Sequence, residues 1–441
     1  MTPPLKIGLA GLGTVGASVL RLLTQQREAL AARCGRPIEV VAASARSRNK
    51  DRGVDLAALR WFDDPVALAA DPGIDVFVEL IGGEGGAAKA AVEAALAAGK
   101  SVVTANKALL ARHGIALARQ AERTGAALAF EAAVAGGIPV VKTLREGLVG
   151  NSVSRVFGIL NGTCNYILTR MEHEQLSFAA CLKEAQRLGY AEADPAFDIE
   201  GHDTAQKLAI LASLAFGIEL DPDAIYVEGI SSITPEDLNA ANELGYRVKL
   251  LGVAMKTDGG IEQRVHPTMV PKTSAIAQVA GVTNAVAIDA DAVNEITLMG
   301  PGAGGLATAS AVISDLGDIA RGSRLPPFGI PAARLAKNAK LPMQRHEGGY
   351  YIRVLAVDRP GTAATIAQHL ADENISIESI VQRRPGNAPH GGDDPASAAA
   401  PVPVILVTYA TTEDAVRRAL AAVEAAGVVD GKPQLIRIEK T

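Results

Sequence analysis

The residues best able to do chemistry in this chain lie between Gly189 and Lys207, GYAEADPAFDIEGHDTAQK, where Glu192, Asp194, Asp198, Glu200 and Asp203 precede one lysine. Carboxylates at this density can hold an ammonium group, and a lysine beside them can move a proton. Pro195 and the glycines predict a loop as far as about Gly201. From there DTAQKLAILASLAFG predicts a helix that Gly217 ends. Asp203 falls in its first turn, where the helix dipole favours a carboxylate. Lys207 lies four residues on, one turn above it on the same face. Leu208, Ile210, Leu211, Leu214 and Phe216 make this helix apolar nearly all round, which predicts burial. Two readings follow: an ordinary surface ion pair, individually weak, or a general acid/base lysine oriented by a carboxylate, which the buried helix and the acidic loop favour.

The run from Ala185 through Gly189, Asp194, Pro195, Asp198, Gly201 and Asp203 to Lys207 resembles the signature segment of homoserine dehydrogenases. The resemblance implies reversible NAD(P)H-dependent reduction of L-aspartate 4-semialdehyde to L-homoserine, on the route to threonine and methionine. It makes Lys207 the proton donor, with Asp203 orienting it and helping to hold the substrate ammonium. Glu192 would bind that same ammonium, and Lys107 would assist near the carbonyl or carboxylate. Gly189, Asp198 and Thr163 complete the implied substrate site, and Gly189 and Glu192 also approach the cofactor. In the oxidative direction the lysine must begin neutral, so an alkaline optimum is expected. Two other functions remain open: another semialdehyde or amino-acid dehydrogenase on the same scaffold, and a ligand sensor without turnover.

At 441 residues the chain needs two or three domains. A net charge of −5 gives no electrostatic case for nucleic acid or anionic membranes, which leaves small-molecule work. No export signal is visible, and the longest apolar run, Leu208 to Leu220, is broken by Glu219 and too short to span a bilayer. A cytoplasmic protein is expected. Cys34, Cys164 and Cys181 read as reduced thiols, and the histidines lack metal-ligand spacing.

The elements that must position this chemistry predict an α/β chain. Its parts are a Rossmann-type doubly wound domain (1–140, completed by 300–335), an α+β substrate and dimerisation domain (141–299), and a C-terminal ferredoxin-like domain (349–441). A strand Leu5 to Ala10 runs into Gly11-Leu12-Gly13-Thr14-Val15-Gly16 and a helix Ala17 to Leu30, the order a dinucleotide site requires. The second strand, Ile38 to Ala43, ends in Ser44-Ala-Arg46-Ser47-Arg48 with no acidic residue for a ribose hydroxyl. Arg46 suits a 2′-phosphate, so NADP is preferred and NAD remains possible, unless Arg46 and Arg48 are only solvated. A third strand, Ile74 to Ile81, ends at Gly82-Gly83, where the family often has a proline soon after and this chain has Gly86-Ala87.

Lys107, beyond the strand that Ser101 opens, either reaches the nicotinamide or substrate or only caps its turn. Glu131 to Pro139 reads as a tight loop; by resemblance it holds sodium or another monovalent cation with Glu131 and the backbone oxygens of Val134, Gly136 and Ile138. Asn161-Gly162-Thr163 joins a strand to a helix Ile167 to Glu174 and can hold a carboxylate through its amides and the Thr163 hydroxyl, although a plain N-cap explains Thr163 as well. The strands around residues 247–255, 262–270, 285–290 and 295–299 predict an open sheet face suited to dimerisation. Gly300 to Gly305 leads into a helix Leu306 to Arg321 that returns to the nucleotide, with Gly304 close to the cofactor. From Tyr351 the order is βαββαβ, and the Asp358-Arg359-Pro360-Gly361 turn with the following ISIES run resembles an ACT domain. That implies an amino-acid effector, threonine by family, and a homodimer or homotetramer; a purely structural dimerisation module is the alternative.

Overall fold

The structure, a computed structural model, describes residues 2–338, 341, 346–382 and 401–439. The insert expected to loop out at 385–403 lies mostly outside them. Six strands form the first sheet: β1 (Leu5–Ala10), β2 (Ile38–Ser44), β3 (Arg60–Phe62), β4 (Val76–Glu79), β5 (Ser101–Thr104) and β6 (Leu128–Ala129). They run parallel in the order β3-β2-β1-β4-β5-β6. Each residue of β4 and β5 is buried, as continuous apolar runs in a sheet covered on both faces require. The order reverses between β1 and β4, and such a reversal opens a crevice at the strands' carboxyl ends.

Gly11 leaves β1 into that crevice with φ 98°, and a Cβ there would overlap the Leu80 carbonyl. A Cβ on Gly16 would strike the Gly11 carbonyl, so both positions require glycine. Glu79, fully buried at the end of β4, accepts from the amides of Ile81 (2.7 Å) and Gly82 (2.9 Å) and from the Thr104 hydroxyl (2.5 Å). It thereby ends the strand two residues short of the expected Ile81. The first helix also differs from expectation: Thr14–Gln25 and Arg27–Cys34 are separate, broken at Gln26. The helix Gly305–Ala320 packs on this sheet's first helix, and Val312 and Leu316 share a core with Val19 and Leu23.

The second sheet contains β7 (Val153–Ile159), β8 (Tyr226–Val227), β9 (Tyr246–Thr257), β10 (Gly260–Pro271), β11 (Thr283–Ala290), β12 (Asn294–Pro301), β13 (Glu347–Ala356), β14 (Ile377–Gln382), β15 (Val402–Thr408), β16 (Thr411–Thr412) and β17 (Val429–Ile438). Its main order is β12-β11-β7-β9-β10-β17-β13-β15-β14. The tail is thus the expected βαββαβ unit, with helices Thr362–Asp372 and Glu413–Ala425. It is not a separate sheet, however. β17 pairs in parallel with β10, Thr268 opposite Arg437 and Met269 opposite Ile438.

Charged groups are buried along this seam. Arg437 bonds Glu413 (2.6 Å) and Glu228 (2.6 Å); Arg264 meets Glu262 (2.5 Å) and Glu439; Arg353 and the Tyr351 hydroxyl converge on Asp237 (2.6 and 3.0 Å). The expectation of an open face fails at the sheet's centre. Phe157, Leu251, Val253, Ala285 and Ala287 are buried against Ile276, Ala277 and Val279 of the short turn before β11, whose apolar residues the sequence reading passed over. Among the described residues no helix is long and apolar enough to cross a membrane.

Candidate functional site

The helix expected after Gly201 spans His202–Phe216, with Gly201 (φ 88°) and Gly217 (φ 64°) at its ends in the left-handed region. Lys207 is not a surface ion pair: its side chain is only 12% exposed. Its Nζ donates to Asp203 Oδ2 (2.7 Å) and to the Leu160 carbonyl (2.7 Å). Lys107 opens the helix Lys107–Thr124 immediately beyond β5, at the carboxyl edge of the first sheet, and its Nζ reaches Asp203 Oδ1 at 3.1 Å. Two domains therefore meet on one carboxylate. Burial opposes the charge on Asp203, but the ammonium groups of Lys207 and Lys107 and the Asn161 amide (2.9 Å) more than offset it, holding its pKa at about 2.

Asp198 lies beside it. Its oxygens accept from Asn161 (3.0 Å) and Thr163 (3.3 Å), yet burial and the Asp203 charge raise its pKa above the ordinary aspartate value. A cavity of about 450 Å³ is lined by these side chains together with Gly189, Tyr190, Val282, Asn284 and the turn Pro301–Gly304. Expected residues Lys107, Thr163, Gly189, Asp198, Asp203, Lys207 and Gly304 thus come together. Glu192 does not: it is exposed and outside the lining. Of the two readings of Thr163, the plain N-cap fails, since Asn161 caps the helix Gly162–Glu174 by accepting from Cys164 N (2.9 Å), while the Thr163 hydroxyl donates to the Tyr190 carbonyl (2.8 Å) and lies 3.3 Å from Asp198 Oδ2.

Asn161 and Asn284 were not singled out by sequence reasoning. An asparagine ending a strand three residues before a helical amide was the available signal for the first; Asn284, inside β11, had none.

A second cavity, of about 550 Å³, opens beside Gly11, Leu12 and Gly13 and is bordered by Ser44, Arg46 and Lys50. No side chain caps the helix that begins at Thr14 and Val15, and nothing lies within 4 Å of a Cβ on Gly13. Free amides at a helix start with open space before them fit a pyrophosphate. Arg46 stands exposed at the wall and Lys50 joins it; Arg52 ties their loop to the glycine turn by donating to the carbonyls of Leu12 (2.9 Å) and Lys50 (2.7 Å).

Glu131 is also fully buried. Its oxygens accept from the amides of Val141 (2.9 Å) and Lys142 (2.8 Å), and its own amide donates to Asp315 Oδ2 (2.9 Å). Burial and the neighbouring Asp315 push its pKa up to about 7; burial, opposed by Lys142, pushes that of Asp315 to about 6. Asp315 Oδ1 is buried with no hydrogen-bond partner. Gly136 (φ 56°) turns the chain so tightly against Gly302 that a Cβ would overlap the Gly302 carbonyl. The resemblance sets a monovalent cation at this turn, on Glu131 and the carbonyls of Val134, Gly136 and Ile138; the Glu131 oxygens already accept two amides, and the Ile138 carbonyl accepts from Val140 N (2.8 Å). No group of three or more His, Cys, Asp or Glu side chains able to hold a metal ion occurs among the described residues.

Comparison with known proteins agrees with this anatomy. Residues 11–131 match the family model of the homoserine dehydrogenase NAD-binding domain, 139–316 that of homoserine dehydrogenase, and 350–424 that of the ACT domain. The chain is 45% identical to homoserine dehydrogenase of Neisseria gonorrhoeae over 442 residues and 45% identical to that of Pseudomonas aeruginosa over 445, covering 99% of each chain in both cases. The crystal structure of a homoserine dehydrogenase from Thiobacillus denitrificans superposes with a TM-score of 0.91 at 44% identity, over 99% of this chain and 98% of that one. A hyperthermophilic archaeal homoserine dehydrogenase in complex with NADPH matches at 0.61 and 26% identity, over 71% of this chain and 97% of its own.

Proposed function

The chain belongs to the homoserine dehydrogenase family and carries its NAD-binding and ACT domains, and from that premise we propose how its residues perform the reaction. When bound, the nicotinamide supplies or accepts the hydride at the carbon bearing the reacting oxygen. The protein must then deliver a proton to that oxygen in reduction and remove it in oxidation. Lys207 is the group that does so: two of its three N–H bonds are taken by Asp203 and the Leu160 carbonyl, which aims the remaining position at the cavity. Asp203, ionised throughout the working pH range, keeps the ammonium in place and brings Lys107 to the same locus. Asp198 and Asp203 take the substrate ammonium, since Glu192 stands outside the cavity. The observation that carries this reading is the Lys107–Asp203–Lys207 bridge across the cleft between the two domains.

Incubating the protein with NADP and L-homoserine, and following NADPH absorbance, tests it. Absence of turnover, or faster turnover of a homologous amino alcohol, rejects it. For the cofactor, Arg46 and Lys50 beside the second cavity support a preference for NADP; Asp63, after β3, is the acid that lines the same cavity. Arg46→Ala lowers kcat/KM for NADPH by about 10-fold with little change for NADH; a wild type that favours NADH ends the proposal.

The ACT domain supports regulation by an amino acid, threonine in the reading adopted here. Arg437 of β17 contacts Glu228, and two residues on Ile230 donates to the Ile199 carbonyl, next to Asp198. An effector bound to the ACT domain thus has a short packed route to the substrate loop. Activity that does not vary across added threonine removes this effector. The exposed Met299 on the edge strand β12 supports a homo-oligomer, dimer or tetramer, which sedimentation resolves.

A further inference from the structure

Glu79 is fully buried at the end of β4, where the strand order reverses, yet it lines neither cavity. A carboxylate in such a place is costly unless its oxygens are paired, and here the pairs lead to both halves of the chemistry. Oε1 accepts from the amides of Ile81 (2.7 Å) and Gly82 (2.9 Å), in the loop whose residues Leu80 and Ile81 wall the nucleotide cavity. Oε2 accepts from the Thr104 hydroxyl (2.5 Å) at the end of β5. That hydroxyl itself accepts from the amide of Asn106 (3.0 Å), so its own proton is committed to Glu79. Asn106 caps the helix that Lys107 opens by accepting from Leu109 N (3.1 Å), and its Nδ2 donates to the Gly83 carbonyl (2.7 Å). The circuit closes there: Glu79, the loop Ile81–Gly83, Asn106 and Thr104 form one ring of hydrogen bonds across the ends of two adjacent strands.

Neither part that the ring joins is stiff by itself. Gly82 and Gly83 lie in the left-handed region, φ 86° and 87°, and a Cβ on either would meet nothing within 4 Å, so side-chain packing does not hold the loop. Lys107, 35% exposed at the first position of its helix, reaches across to Asp203 Oδ1 at 3.1 Å from another domain. A displacement of about 1 Å at the end of β5 breaks that contact, and misplacement on this scale can cost about 10²-fold in rate. We propose that Glu79 is a positioning residue for the reaction: through Thr104 and Asn106 it fixes Lys107 against Asp203, and through Ile81 and Gly82 it fixes the loop beside which the dinucleotide lies. A carboxylate that touches neither reactant thereby sets the cofactor and the proton-handling groups in one register. This rests on the roles given above to Lys107 and to the nucleotide cavity.

The test uses two variants that open the ring from opposite sides. Glu79→Gln keeps size and one acceptor but sets an amide N–H against either the two backbone donors or the Thr104 hydroxyl; Thr104→Val removes the relay. Each is expected to lower kcat on L-homoserine at saturating NADP about 10- to 100-fold. Glu79→Gln also raises the Kd for NADPH, read by fluorescence titration without homoserine, about 3- to 10-fold. Thr104→Ser, which keeps the hydroxyl, stays within about threefold of wild type in both. Added to Lys107→Ala, Glu79→Gln lowers kcat by less than a further threefold or so, about what coupling through one lysine requires. Losses that multiply in the double variant, or a Glu79→Gln protein with wild-type kcat and Kd whatever its Tm, overturn the proposal. Should Glu79→Gln fail to fold, the cycle of Thr104→Val with Lys107→Ala decides by the same criterion. A wild type inactive on homoserine, or an undiminished kcat in Lys107→Ala, overturns the underlying reading of the site, whereas a Lys107→Ala defect that neither ring variant shares overturns Glu79 alone.

Discussion

Asp203 and the Glu131–Asp315 pair are both buried carboxylate centres, and the turn at 301–304 lines the cavity of the first and packs on Gly136 beside the second, yet they are perturbed in opposite directions. Burial penalises all three groups. Asp203 has an ammonium on each oxygen and stays ionised. Glu131 and Asp315 lie together with Lys142, which is also drawn to Asp318, and Asp315 feels the charge of Arg145 besides; these do not offset the burial. How far the neighbouring charges and hydrogen bonds offset that burial decides the sign. The first centre is complete as it stands and is suited to proton traffic. The second keeps raised carboxyl values because its neighbours do not offset its burial.

Removing the charge at the complete centre has the largest expected consequence. Lys207→Ala lowers kcat by about 10²- to 10⁴-fold, while NADPH binding, followed by fluorescence titration, persists; near-normal turnover ends the acid/base assignment. Asp203→Asn keeps the shape and removes the shared counter-charge, so kcat/KM for homoserine falls about 10- to 100-fold. A change confined to KM would mean that Asp203 binds substrate and does not position Lys207.

The buried Lys249 offers a control of opposite charge. Burial lowers its pKa to about 8, so between about pH 8 and the ordinary lysine value near 10.5 the folded state holds fewer protons than the unfolded one, and this group's contribution to stability rises with pH. Denaturant midpoints measured from pH 7 to 10 should show that rise, of about 1–3 kcal/mol, and Lys249→Met should flatten it.

The second centre gives the smallest and most diagnostic effect. Because Glu131 and Asp315 have raised values, the fold loses stability as pH climbs from near the ordinary carboxylate range through about 7. Sodium competing for the ionised form restores about 1 kcal/mol, so sodium substituted for a bulky organic cation at constant ionic strength raises Tm at pH 8 and leaves it unchanged at pH 5.5. Glu131→Gln abolishes the increment. Equal shifts at both pH values would remove the cation from this account.

The sequence made the charged part of this anatomy readable because its signals are local. Asp203 and Lys207 are one helical turn apart, Gly11 to Gly16 follow a strand directly, and Lys107 sits where a parallel strand must end. What stayed hidden depends on groups distant in the chain. Nothing near Asn284 tells that Gly162 and Gly302 will close on it. Nothing in Thr163 tells that its hydroxyl will turn to the Tyr190 carbonyl. Glu192 shared the acidic composition of its loop, but the chain carried it outward. The helix break at Gln26 and the short β3 were missed because neither has a strong breaker or a long apolar period.

The pairing of β17 with β10 gives the tail an obligation beyond sensing. A polypeptide halted before Glu347 would leave the backbone of β10 around Thr268 and Met269 as a bare ribbon border, with Arg264 deprived of Glu439 and opened to solvent. Such borders recruit strands from neighbouring molecules. The C-terminal unit is therefore the selvedge that keeps this catalytic fabric from fraying into aggregates.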